Sequence, residues 1–216
     1  MSVPGVAQAE RLALCDLLDK LGPEAPTLCE GWATRDLAAH LVARDTRPDA
    51  VPGLLIPGLL ASWTQRLERR TRDTVGYDDL VGRLRTGPPL LGPFGLPYLR
   101  ETANIHEYYV HHEDVRRPNG GGPRNLAPEL SDALWRRLRL LSPFLLRRLR
   151  GVGVTLERTD RGGDEIAALG GDSAVRLTGT AGELFLYLFN RRRPAAVAVD
   201  GSSAAVATLN GTRLGL

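Results

Sequence analysis

The sequence predicts an α plus α+β chain, with a helical domain over residues 1–150 and a small α+β domain over residues 151–216. Three observations carry that reading. Up to Leu149 the apolar residues recur every three or four positions, the spacing of one face of a helix. After Gly151 short alternating or β-branched runs take over, bounded by Gly and Asp. Finally, 216 residues with 43% hydrophobic and 25% charged side chains form an ordinary globular composition, which argues against disorder and against a membrane bundle.

The first helix is expected over about Val6 to Leu21, with Leu14, Leu17, Leu18 and Leu21 at helical spacing and Gly22-Pro23 ending it. A loop leads through Trp32 to a second helix carrying His40, with Thr34 as N-cap and Asp36 in the first turn, where the helix dipole favours a negative charge. The Pro/Gly-rich segment Pro48 to Gly58 reads as a loop, followed by a helix through Trp63 and Leu67. Tyr77 to Leu84 reads as a short helix, and Gly87 to Pro97, with four prolines and three glycines, as another loop. From about Leu99 a helix of about five turns runs through Asn104, Glu107, His111 and Asp114 until Pro118-Asn-Gly-Gly-Gly-Pro stops it. A leucine and arginine helix follows from about Ala127 to Leu149, bent at Pro143. The C-terminal part reads as strands at Val152, Ala174 and Ala195, with a helix after Thr180 whose Glu183 completes a capping-box pattern, and then an apolar tail.

Composition narrows the function classes. Lys20 is the single lysine among 28 basic residues, yet 25 acidic residues leave a net charge of only +3, with no aromatic interleaving of the basic residues; no nucleic-acid partner is expected. The apolar stretch Val51 to Trp63 is broken by Pro52, Gly53, Pro57 and Gly58, so no membrane span is expected. No basic segment followed by an apolar run opens the chain, and Cys15 and Cys29 make neither a disulfide framework nor a CxxC motif, so the expected location is cytoplasmic. Each cysteine reads first as a small hydrophobe, with a ligand or redox role as the alternative.

Three of the four histidines, His106, His111 and His112, fall within seven residues. On a helix Glu107 and His111 share a face, with Asp114 just above them. The zinc-protease pattern HExxH is excluded, because His106 and His111 are five apart and diverge. If the second helix packs beside this one, His40 joins Glu107 and His111 in a His2Glu set, the ligand count of a catalytic zinc site with an open position. The alternative is a solvated polar helix face. His40 stands in the apolar run Leu37-Ala-Ala-His-Leu-Val-Ala and needs a partner if buried, while Asn104, Glu113, Asp114 and Asp36 are candidate acceptors for orienting imidazoles. His106 and His112 read as bystanders.

The segment Gly31-Trp-Ala-Thr-Arg-Asp-Leu-Ala-Ala-His40 resembles the GW and LxxH segment of the DinB-like superfamily, particularly relatives of mycothiol-dependent maleylpyruvate isomerase from actinobacteria. Glu107-Tyr-Tyr-Val-His111-His112-Glu-Asp114 is similar to that family's ExxxHHxD segment, and Leu177 to Arg191 looks like its small sterol-carrier-like C-terminal domain. The resemblance implies a four-helix bundle holding Zn2+, or another divalent metal, through His40, Glu107 and His111. It implies mycothiol as a thiol cofactor, and an isomerase or transferase acting on a small molecule. Arg191 would hold a substrate carboxylate, although Asn190 stands where the family often has Gly. The partners implied are a small substrate and a low-molecular-weight thiol, with the chain a monomer or homodimer. The alternative is a non-catalytic metal-binding or ligand-carrier protein.

Overall fold

The computed structural model describes residues 5–46, 70–89 and 104–215. The chain divides into two compact units, Met1–Gly122 and Pro123–Leu216. The division thus falls ahead of the leucine and arginine helix, not after it at residue 150 as the sequence suggests. The reason is packing: the apolar stripe of that helix, Leu134, Leu138 and Leu145, belongs to the core of the strand-bearing unit.

The first unit contains α1 (Val6–Leu21), α2 (Thr34–Thr46), α3 (Tyr77–Thr86) and α4 (Ile105–Arg116), the last running into a 3-10 turn, Arg117–Asn119. α1 packs against α3 and α4, and α2 against α3. Leu14 and Leu18 of α1 are fully buried, and Gly22 ends the helix at φ 75°, its N–H returning 3.0 Å to the Leu18 carbonyl. Thr34 is the first helical residue of α2 rather than its cap. Its hydroxyl donates to the Gly22 carbonyl, while Asp36 reaches back to accept from the Ala33 N–H at 3.0 Å. The loop expected at Pro48 to Gly58, the helix through Trp63, residues 90–97 of the loop expected at Gly87 to Pro97, and the stretch of the histidine helix before Asn104 lie outside the described residues.

In the second unit α5 (Pro128–Leu145) is followed by a four-stranded sheet, ordered β2-β1-β3-β4, formed by β1 (Val152–Arg158), β2 (Glu165–Leu169), β3 (Ser173–Gly179) and β4 (Ala198–Gly201). β1 pairs parallel with β3; the other two pairings are antiparallel. Val154 and Leu156, with Val175, Leu177, Ile166 and Ala168, form the buried face. The helices α5, α6 (Ala181–Leu188) and α7 (Ser203–Gly211) pack on the strands. On the opposite face Arg176 pairs with Glu157 and Glu165 across three strands, an exposed ladder of small energetic weight.

Strand β2 and helix α7 depart from the expected order, which has one strand fewer and an apolar tail. Helix α6 does begin where expected, with the Thr180 hydroxyl accepting from the Glu183 N–H at 3.4 Å.

Since β2 and β3 flank β1, the link between them has three residues, Gly170 to Asp172, in which to pass the start of β1. A Cβ at Gly171 would lie 2.5 Å from the Val152 carbonyl carbon, whereas one at Gly170 would meet nothing within 4 Å. Gly171→Ala is therefore expected to cost about 1–3 kcal/mol in chemical denaturation, with Gly170→Ala close to neutral.

Candidate metal centre

Helix α4 is the element on which the site is built. Tyr108, Tyr109, Val110 and Val115 are buried, but so are His112, Glu113 and Asp114, and His111 is only 9% exposed. A helix with polar groups on so many buried positions must supply each with a partner. His112 Nδ1 lies 2.8 Å from Glu10 on α1, and Glu113 is clasped by Arg116 and Arg117. These contacts make His112 a packing residue and remove Glu113 from the candidates for orienting a ligand. Asp36 is likewise engaged elsewhere, capping α2 and pairing with Arg72 at 3.0 Å.

The remaining residues converge. One ligand atom from each of His40, Glu107 and His111 lies within 4.8 Å of the others, and all three side chains are partly exposed. His40 is brought in by α2; its ring centroid is 5.2 Å from that of His111, edge to face, and 5.1 Å from that of Trp32. The i to i+4 spacing on α4 places His111 Nε2 3.5 Å from Glu107 Oε2. His106 Nε2 stands 3.4 Å from the other oxygen of Glu107, so it flanks the carboxylate even though it is not part of the convergent trio.

Two residues orient the trio. Asp114 Oδ2 lies 3.0 Å from His111 Nδ1, an arrangement that leaves Nε2 for a ligand. Arg44, one turn beyond His40 on α2, brings its Nε to 3.7 Å from Glu107 Oε2 while its Nη1 donates to Asn104 and Asp45. Tyr108 donates at 2.7 Å to the same Asp45, continuing the polar chain into the core. Of the four acceptors suggested by the sequence, Asp114 alone faces a histidine of the trio in this way; Asn104 instead accepts from Arg44.

Two residues of the site, Arg44 and Cys29, do not stand out in the sequence. For Arg44 a signal exists in its spacing, four residues after His40. Cys29, for which the sequence offers a ligand role only as the alternative, has no such spacing, because it lies in the irregular loop before α2. That loop is pinned: the Leu28 N–H donates to the Asp114 carbonyl at 2.9 Å, and Asn119 donates to the Pro26 carbonyl at 2.9 Å. The Cys29 thiol consequently donates to Asp114 Oδ2 at 3.3 Å. Cys15 is different, a fully buried hydrophobe whose thiol burial pushes up to about 12.

Electrostatically the site is polarised. Burial alone would raise the Glu107 carboxyl, but Arg44, His106 and His111 outweigh it and hold the group well below its ordinary value. Burial would likewise lower His111, yet Asp114, Cys29 and Glu107 hold its imidazolium well above the ordinary value. The two groups thus form an ion pair, with His111 Nε2 3.5 Å from Glu107 Oε2.

No protein-family model matches the chain, and no curated protein matches it in sequence. Two solved structures share its fold. A crystal structure of mycothiol-dependent maleylpyruvate isomerase matches with TM-score 0.54 and 14% identity, and one of a histidine-to-alanine variant with TM-score 0.59 and 12% identity. Each match covers 90% of this chain and 88% of the other. At such identities the shared property is the fold.

The paired shifts set a pH window. A carboxyl held below its ordinary 4.5 stabilises the fold above that pH and loses its contribution as pH falls through the lowered value. An imidazolium held above its ordinary 6.5 contributes fully below 6.5 and loses its contribution as pH rises through the raised value. The metal-free protein is expected to draw full stabilisation from this pair between about pH 4.5 and 6.5. Thermal melts across pH check this: His111→Asn should remove the pair's part of the decline on the alkaline side, and Glu107→Gln its part on the acidic side.

Proposed function

We propose that this chain binds a divalent metal, zinc in the first instance, through His40, Glu107 and His111. We infer that it works with a low-molecular-weight thiol of the mycothiol type as an isomerase or transferase of a small molecule. The observation that carries the reading is the convergence of two imidazoles and one carboxylate within 4.8 Å, on a fold shared with a mycothiol-dependent isomerase. The donor set fits the ion: neutral imidazole and carboxylate are zinc's usual nitrogen and oxygen ligands, and three protein ligands leave a position open. A bound ion would supply Lewis acidity, lowering the pKa of a thiol or water and steadying negative charge.

The chain's own residues supply the rest. Asp114 holds the tautomer of His111, and Arg44 holds Glu107 ionised and directed. In this reading the scaffold is the DinB-like four-helix bundle, followed by the sterol-carrier-like unit, and the protein works in the cytoplasm as a monomer or homodimer. No helix among the described residues is long and apolar enough to cross a membrane.

Arg191, in the second unit, is proposed to bind a substrate carboxylate through its guanidinium fork. The backbone removes one objection to it. Asn190, which stands where the related sequences often carry Gly, adopts φ 66°, the left-handed conformation that Gly enters freely and that Asn tolerates best among the other residues. A Gly at this position would adopt the same conformation without strain.

Metal analysis should give one divalent ion per chain, lost in His40→Ala and His111→Ala. Full metal retention in both variants would end the proposal. With metal bound, Arg191→Ala should raise the KM of a small unsaturated acid of the maleylpyruvate type roughly ten- to hundredfold. A metal-loaded protein whose cobalt spectrum no thiol perturbs would favour the non-catalytic carrier.

A further inference from the structure

His111 presents donors on both sides of its ring. Nε2 faces Glu107, as above; on the other side Nδ1 lies 3.0 Å from Asp114 Oδ2, and Cys29 Sγ lies 3.3 Å from that same oxygen. Ligand atoms of Cys29, His111 and Asp114 all fall within 4.8 Å of one another. These donors come from two elements far apart in sequence, and the Leu28 to Asp114 backbone bond together with the Thr27 hydroxyl, which donates to the Trp32 carbonyl at 2.8 Å, fixes the loop that brings the sulfur in. Cys29 is half-buried, within reach of an ion from solvent, whereas Cys15 is sealed in the core.

We propose that Cys29, Asp114 and the Nδ1 side of His111 form a second metal site, selective for thiophilic ions, that alternates with the His40–Glu107–His111 site. Thiolate, imidazole and carboxylate make a donor set that softer cations favour over one of two imidazoles and a carboxylate. Because the imidazole is shared, occupancy is exclusive. An ion on Nε2 leaves the Nδ1 proton to Asp114; an ion on Nδ1 requires that proton to leave and puts the remaining one on Nε2, facing Glu107. Filling both sides would require removing both ring protons. Entry of the ion at the thiol releases the Cys29 proton to solvent, with no change of oxidation state. The site rests on the preceding reading only through His111, and it would exist even if His40 bound nothing.

Cadmium is the probe. Metal-free protein should take up one Cd2+ per chain with an ultraviolet sulfur-to-cadmium charge-transfer band, retained in His40→Ala and lost in Cys29→Ser. On the wild-type protein, cadmium should also protect Cys29 from alkylation by iodoacetamide, a readout that needs no variant to fold. The proposal is overturned if wild-type protein shows no such band and no protection, if the band survives in Cys29→Ser, or if it disappears in a folded His40→Ala, which would place the sulfur and His40 on one ion. Failure of the His40 site shows separately, as zinc binding unaffected by His40→Ala.

Discussion

The contact on which the first unit turns is that between Arg44 and Glu107. A carboxylate with a side chain only 13% exposed, on a helix otherwise packed into the core, is tolerable only with positive charge around it. Arg44 supplies part of that charge from α2 and His111 part from α4, while His106 Nε2 flanks the carboxylate at 3.4 Å. The same contact brings α2 to α4 at the point where His40 meets His111. A requirement of burial therefore also aligns the three side chains of the candidate metal centre.

The second unit offers a contrast in how buried charge is used. Arg158, 2% exposed on the core side of β1, donates to Asp132, Asp160 and Ser131 and lies over the Trp135 ring at 5.3 Å. Acceptors surround it, no cluster of metal-ligating groups forms there among the described residues, and its role is to tie α5 to the sheet. At the His40 trio the donors face one another around a common point instead. That difference in geometry, more than the number of charged residues, separates a structural network from a candidate site.

Much of the site is legible in the sequence because helices encode their faces. The four-residue spacing of Glu107 and His111 is enough to put them on one face, and the polar histidine in the apolar run after Leu37 signals a partner across a helix interface. Arg44 carries the same signal, one turn from His40, but arginine is so abundant in this chain that the signal is lost among the others. Cys29 cannot be read, since a loop has no period and its position depends on backbone bonds to α4. Strand β2, the alanine-containing Glu165–Leu169, lacks the β-branched density that marks β1, and α7 is built of small residues whose helical period is faint; its Ser202 cap, accepting from the Ala205 N–H, is the available clue. The compact units divide after Gly122 and not at the change of texture near Gly151, because packing joins the intervening helix to the strands.

The most direct test of the central claim is X-ray absorption at the zinc edge on protein loaded with one equivalent of zinc. If His40, Glu107 and His111 hold the ion, the first shell consists of nitrogen and oxygen at about 2.0–2.2 Å with the outer-shell signature of two imidazoles. A shell containing sulfur at about 2.3 Å, or one with no imidazole signature, would contradict it.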